Sequence, residues 1–310
     1  MQTKLHRNET LECCRILAAV FVVFLHVPFP GLVGKTVNCL ARFAVPLFFA
    51  ISGWFSYGAK PEKLLRRMGK IWLLEAVGIG LTVLSKGFRV GLPDAAALSK
   101  WLLLNVDPFA GHLWYLSAMA CCYGFLWLYT RLACRNRKNY LPLYGLSGLL
   151  LACHFAMGNF ADFTGIRVDY TLYRNAWFFG IPMFSMGLFL REFSGKLPRK
   201  GTWAALILGF VLSLAERWIL GPSDLPVAMP LAVAAILLLT AEHPALPENR
   251  PVLRRAAAHF GAMSTVVYLV HLIISEALPL ENPMLRPLAV AALSLMTAAA
   301  WVLLRKAVRK

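Results

Sequence analysis

The stretch Cys13–Gly31, "CCRILAAVFVVFLHVPFPG", decides how the rest of the chain is read. It sets Arg15 at the head of ten apolar residues and then places His26 where hydrocarbon would surround it. A run of this composition is a membrane helix, and a charge at the centre of one costs about 2.5–3.5 kcal/mol. Position alone therefore makes His26 a functional candidate. The competing reading is a neutral imidazole bonded to a neighbouring helix. Eleven residues at about 1.5 Å each put it roughly 16 Å from Arg15 along the helix. With Arg15 at the cytoplasmic interface, His26 lies near the midplane. Pro28 and Pro30 are expected to loosen or end the helix just beyond it, which is tolerated only beside protein or a wet cavity.

Outward from this stretch the same texture recurs. The chain has 310 residues, of which 59% are hydrophobic and 15% charged. A soluble domain carries about a quarter charged residues. Mean hydropathy is +0.62, and no long polar segment separates the apolar runs. The expected fold is all-α: a polytopic membrane helical bundle forming a single domain over 1–310. Ten transmembrane helices are expected, near 14–32, 40–58, 70–88, 112–130, 140–157, 172–190, 202–220, 225–241, 259–278 and 287–304. The weaker segment 93–110 reads as an interfacial or re-entrant helix.

A net charge of +17 would suggest nucleic acid in a soluble protein. Here topology accounts for it. With the N-terminus inside, the expected cytoplasmic segments hold 23 of the 32 Lys and Arg residues, and the reversed orientation fails at nearly every loop. Both termini are therefore expected to be cytoplasmic, and no nucleic-acid partner is expected. The seven cysteines show no metal-ligand spacing and read as small buried hydrophobes, so no metal is expected. The first apolar run lacks a small-residue cleavage site and reads as a retained helix. No internal repeat is visible. Neither is H-E-x-x-H, G-x-S-x-G, a Walker loop or a dinucleotide fingerprint, which removes the common soluble-enzyme chemistries.

Several other polar groups fall in or beside the spans. "RFAVPLFFAISGWFSYG" (42–58) contains Pro46, Ser52 and Gly53, where a helix can bend and approach another. "KPEKLLRRMGKIW" (60–72) puts five cations in one short cytoplasmic loop, in which Arg66 and Arg67 are candidates for holding phosphates. "GHLWYLSA" (111–118) brings His112, Trp114 and Tyr115 to the outer end of the fourth span. "LYRNAWFFG" (172–180) puts Arg174 and Asn175 in the outer part of the sixth. "STVVYLVHLII" (264–274) sets Tyr268 and His271 three apart on one helix face. These residues, with His26, outline a histidine-centred site that has basic groups at its cytoplasmic entrance.

Arg15, ten residues and His26 in the first span, followed in order by "VPLFFAISGWF", "KLLRRMGKIW" and "STVVYLVHLII", resemble the membrane-bound acyltransferase-3 family, the O-acyltransferases of cell-surface sugars. "HLWYL" and "RNAWFFGIPMFSMGLFL" are similar to segments of its shorter bacterial members, and the likeness runs over essentially the whole chain. Two positions depart from the pattern: Glu12 stands where aspartate is usual, and Ile16 where a small residue often follows the arginine. The resemblance implies an integral protein of the bacterial plasma membrane. It would move an acyl group, most often acetyl, from cytoplasmic acyl-CoA to a hydroxyl of an extracytoplasmic or lipid-linked glycan. His26 would act as general base, with Arg15, Arg66 and Arg67 facing the phosphates of CoA. Ser52, His112, Trp114, Tyr115, Arg174, Asn175, Tyr268 and His271 remain as candidates for binding substrate. "RFAVPLFFAISGWF" and "HLWYL" also look like the membrane half of the vancomycin-resistance serine racemases, which implies amino-acid or small-solute transport through the same cavity as the alternative. A structural partner without a ligand would leave the buried polar groups unexplained.

Overall fold

The computed structural model describes residues 8–132, 139–165, 168–196 and 200–308. Most of the basic cluster expected over 131–138, with Cys134, and the terminal cations Lys4, Arg7, Arg309 and Lys310 lie outside them, as does Arg199. Among the described residues every regular element is a helix. They run α1 (Glu9–His26), α2 (Gly31–Ala41), α3 (Ala44–Trp54), α4 (Pro61–Ser85), α5 (Ala95–Leu104), α6 (Trp114–Leu132), α7 (Leu141–Gly158), α8 (Ala161–Thr164), α9 (Ile181–Phe193), α10 (Thr202–Ile219), α11 (Met229–Glu242), α12 (Pro251–Ala277) and α13 (Arg286–Val308). Every one of the ten apolar segments contains a helix. Six are long and apolar enough to cross a membrane: α2 with α3, α4, α7, α10, α12 and α13. The rest are shorter or more polar; the 18 residues of α1 include Glu9, Glu12 and Arg15.

Exposure agrees with a lipid-facing perimeter. Leu73 and Leu84 on α4, Trp203 and Ile207 on α10, and Leu303 on α13 are all at least 60% exposed. A helix that is apolar on its outward face is suited to hydrocarbon and not to water. The protein is thus an integral membrane helical bundle. Its core is made by α3, α6, α9 and α11 with one face of α1, and a second cluster joins α1 to α12 and α13.

Local sequence explains the breaks. Asn8 caps α1 by accepting from the Leu11 amide at 2.8 Å, and the helix ends at His26, before Pro28 and Pro30. The second apolar segment starts at Gly31, nine residues before the expected boundary. It is interrupted at Arg42–Phe43 because the ring of Pro46 would clash with the carbonyl four residues earlier, that of Arg42. The loop expected at 60–70 is helical. Pro61 occupies the first position of α4, where a missing N–H costs nothing, so the cations lie on its opening turns. Within the weaker segment 93–110, residues 95–104 form the short helix α5, none of which is buried. The sixth apolar segment opens not as an α-helix but as a π-turn over Ala176–Gly180, in which the Phe179 and Gly180 amides both donate to the Asn175 carbonyl.

Helices α3 and α9 pack against each other through their backbones. A Cβ on Gly53 would lie 1.8 Å from the Phe184 carbonyl oxygen, and one on Gly187 would lie 1.9 Å from that of Ala50. Two glycines on facing helices permit this approach, which is the usual route to close association in a membrane.

Candidate functional site

Three imidazoles from distant parts of the chain meet where α1 ends. α1 delivers His26 as its last residue, α12 carries His271, and a 3₁₀ turn at Gly111–Leu113 holds His112 just before α6. Ring centroids are 5.2 Å apart for His26–His271, 5.3 Å for His112–His271 and 6.2 Å for His26–His112. Tyr268 packs on His112 at 5.6 Å, and its hydroxyl donates to the His112 carbonyl at 2.6 Å, tying the turn to α12. The long contact between α1 and α12 brings these groups together. Gly261 helps create it: a Cβ there would come 2.4 Å from Glu12 Oε2.

The three rings differ in access and in proton placement. His112 and His271 are buried, whereas His26 is exposed and lines a cavity of about 140 Å³. His271 Nδ1 sits 2.8 Å from the Tyr268 carbonyl and 3.1 Å from that of Val267. A carbonyl only accepts, so Nδ1 carries the proton and Nε2 is left as an acceptor. Neither ring nitrogen of His112, nor Nε2 of His271, has a hydrogen-bond partner among the described residues. The cluster therefore combines one accessible imidazole with two that hold their basic nitrogens out of solvent. Among the described residues no set of three His, Cys, Asp or Glu side chains is placed to hold a metal ion.

The wall of the His26 cavity includes Trp114 and three charged groups. Arg42 binds Asp224 at 2.7 Å, and Arg174 approaches the same carboxylate at 3.7 Å. The Arg174 guanidinium lies over Tyr170 at 4.3 Å and Trp114 at 5.5 Å. Arg174 and Trp114 thus stand beside His26. Val45 belongs to this cavity and also to an apolar one of about 120 Å³ deeper in the bundle, where Val22, Phe48, Tyr115 and Tyr268 meet.

The other end of α1 is basic. Arg15 pairs with Glu12 at 3.1 Å and lies 5.9 Å from the Phe55 ring. Glu12 and Phe55 line a cavity of about 560 Å³ that also exposes Lys63, Arg67 and Arg191. Arg67 donates to the Phe55 carbonyl at 3.0 Å and to Ser56 Oγ at 2.8 Å, and so points inward. Arg66 is exposed and absent from that wall. Adjacent residues on a helix project about 100° apart, and of the two arginines it is Arg67 that lines this cavity. Ser52 lies on α3, where its carbonyl accepts from Ser56 Oγ, and it lines neither this cavity nor that of His26. Asn175 is fully buried. Its oxygen accepts from the Trp177 and Phe178 amides and its amide donates to the Thr171 and Leu172 carbonyls, so it builds the π-turn and has no group left for a ligand.

Sequence reading missed Arg42 and Asp224, which lie 182 residues apart and meet only in the fold. It also missed Glu75, a fully buried carboxylate in the middle of α4 that accepts hydrogen bonds from Ser117 and from the Trp101 indole of α5. An acidic residue inside an expected span was the available signal. The indole bond anchors α5, none of whose residues is buried. Trp101→Phe is expected to speed amide exchange over 95–104 and to cost about 1 kcal/mol of stability. Unchanged exchange in that segment would show that other contacts hold α5.

An apolar-faced helical bundle enclosing buried histidines defines the class: an integral membrane protein with an intramembrane site. Residues 8–305 match the family model described as an acyltransferase domain, and the chain belongs to the acyltransferase-3 family. No curated protein matches it. The resemblance read from the motifs around Arg15 and His26 is thereby established at the level of the family, and with it membrane acyl transfer as the activity class.

Proposed function

We propose that the protein is an O-acyltransferase that uses acyl-CoA, with acetyl the simplest donor, to acylate a glycan hydroxyl presented at the His26 end. The bundle is read with all ten apolar segments crossing the membrane and both termini in the cytoplasm. On this reading the cavity bearing Lys63, Arg67 and Arg191 receives the phosphates of CoA, and Arg15 is paired to Glu12 of its wall. The apolar cavity beyond it suits the uncharged arm that carries the thioester.

His26 takes the acceptor proton as the hydroxyl oxygen attacks the thioester carbonyl. The new C–O ester bond forms, the C–S bond breaks, and the CoA thiolate leaves and is reprotonated. His271 supports the step as a positioning residue. Its own proton is fixed by two carbonyls, so its Nε2 can only accept, and that orients whatever donates to it. The observation that carries the reading is the difference in access within the cluster. His26 alone of the three is open to a cavity, and it ends the helix whose other end bears Arg15.

Protein reconstituted in nanodiscs is expected to bind acetyl-CoA and to hydrolyse it slowly without acceptor. A chain that neither binds nor turns over any acyl-CoA would overturn the assignment. The two arginines separate in the same assay. Arg67→Gln is expected to weaken CoA binding by about tenfold, one charge-assisted contact, and Arg66→Gln by distinctly less. Equal losses would remove the basic cavity as the donor site.

A further inference from the structure

We infer that the acceptor carries an oxyanion, a carboxylate or phosphate, held by Arg174 and Arg42 while its hydroxyl faces His26. The inference rests on the acyl-transfer reading and names its substrate class. The His26 cavity has two guanidiniums on its wall and a single carboxylate, Asp224. Arg42 uses that carboxylate at 2.7 Å, and its Nε is buried with no hydrogen-bond partner. Arg174 reaches it only at 3.7 Å, beyond hydrogen-bond length, and its side chain makes no hydrogen bond among the described residues.

Arg174 is nonetheless held in place. Its guanidinium lies over Tyr170 and Trp114, cation–π contacts that hold it while using none of its N–H donors. A half-buried, stacked guanidinium with unused donors is suited to bidentate binding of a planar carboxylate or a phosphate. One Asp cannot neutralise both cations, so the cavity carries an excess positive charge beside the imidazole. Its volume, about 140 Å³, fits an anionic substituent and the edge of a sugar, not a whole oligosaccharide.

The test uses three acceptors at submicellar concentration: n-octyl β-glucoside, the matching glucuronide and the 6-phosphate. The full-length protein is kept in a maltoside detergent without phospholipid, so that lipid headgroups cannot occupy the arginines. Transfer from labelled acetyl-CoA is followed by product mass, and binding by thermal protection without any acyl donor. The anionic glycosides are expected to exceed the neutral one about tenfold or more in kcat/KM, the size of one charge-assisted hydrogen bond. In Arg174→Gln that ratio is expected to fall towards one, mainly through KM.

Arg174→Gln is the principal variant because the Arg174 side chain makes no hydrogen bond among the described residues; Arg42→Gln is the second. Transfer to neutral and anionic acceptors alike would overturn the inference and leave acyl transfer standing. Preferential binding of the anionic glycosides, abolished in Arg174→Gln but with no transfer, would uphold the anion site and reject glycan O-acylation as its use. An effect of Arg174→Gln that appears only after phospholipid is added would assign the arginines to headgroups and overturn it.

Discussion

His26→Ala is expected to lower acyl transfer by about 10²–10⁴-fold, the range for loss of a positioned general base, while the bundle folds normally. The expectation of normal folding comes from its place: His26 is the last residue of α1 and is exposed, so truncation opens no core cavity. The expectation of a large loss comes from the same place. Its ring is the accessible member of the cluster, and the buried His112 and His271 cannot take over at the cavity. Single-turnover transfer and CoA affinity should be measured separately, with affinity held near the wild-type value. Wild-type turnover in the variant would remove His26 from the chemistry.

The second large effect is structural. Gly187→Val is expected to prevent assembly of a stable bundle, and Gly187→Ala to lower stability by about 3 kcal/mol or more. Overpacking ordinarily costs about 1–3 kcal/mol when side chains can give way. Here the atoms that must retreat are main-chain ones, the carbonyl of Ala50 and the amide of Trp54, which lies 2.8 Å from the added Cβ. Moving them would part α3 from α9 along the core and displace Trp54 and Phe55 from the basic cavity. Size-exclusion monitoring after graded heating would read this directly. An unaltered melting temperature in Gly187→Ala would mean the helices are not in backbone contact.

Much of the fold was legible because a bilayer imposes few solutions. Long apolar runs become helices, and prolines mark where they stop. The end of α1 at His26 follows from Pro28 and Pro30, and the short α5 follows from an apolar run too brief to span. The register of the second segment was not legible, since the break at Arg42 is set by Pro46 acting four residues upstream. Nor was the separation of Arg66 from Arg67. Treating 60–70 as a loop concealed the helical rotation that sends one outward and the other into the cavity.

Within the site, His26, His112, His271 and Tyr268 could be named as polar groups in apolar surroundings. Their convergence could not, because α1, the 3₁₀ turn and α12 are brought together only by tertiary packing. Asn175 misled for a physical reason. A buried amide in a span signals a satisfied network as readily as a ligand contact, and here the network is the π-turn itself. Arg42 and Asp224 escaped notice because each looked like an ordinary charge at the margin of a span.

The segment from Arg15 to His26 contains neither glycine nor proline and is helical throughout. It acts as a stiff strut between the basic cavity and the imidazole, and no hinge within it can shorten the interval. If CoA is anchored at one end and the hydroxyl waits at the other, the protein cannot bring them together by folding this helix. The thioester has to be carried across by the donor's own flexible arm. Reach then becomes a criterion of donor choice alongside charge, and an acetyl thioester of a short thiol should be refused however reactive it is.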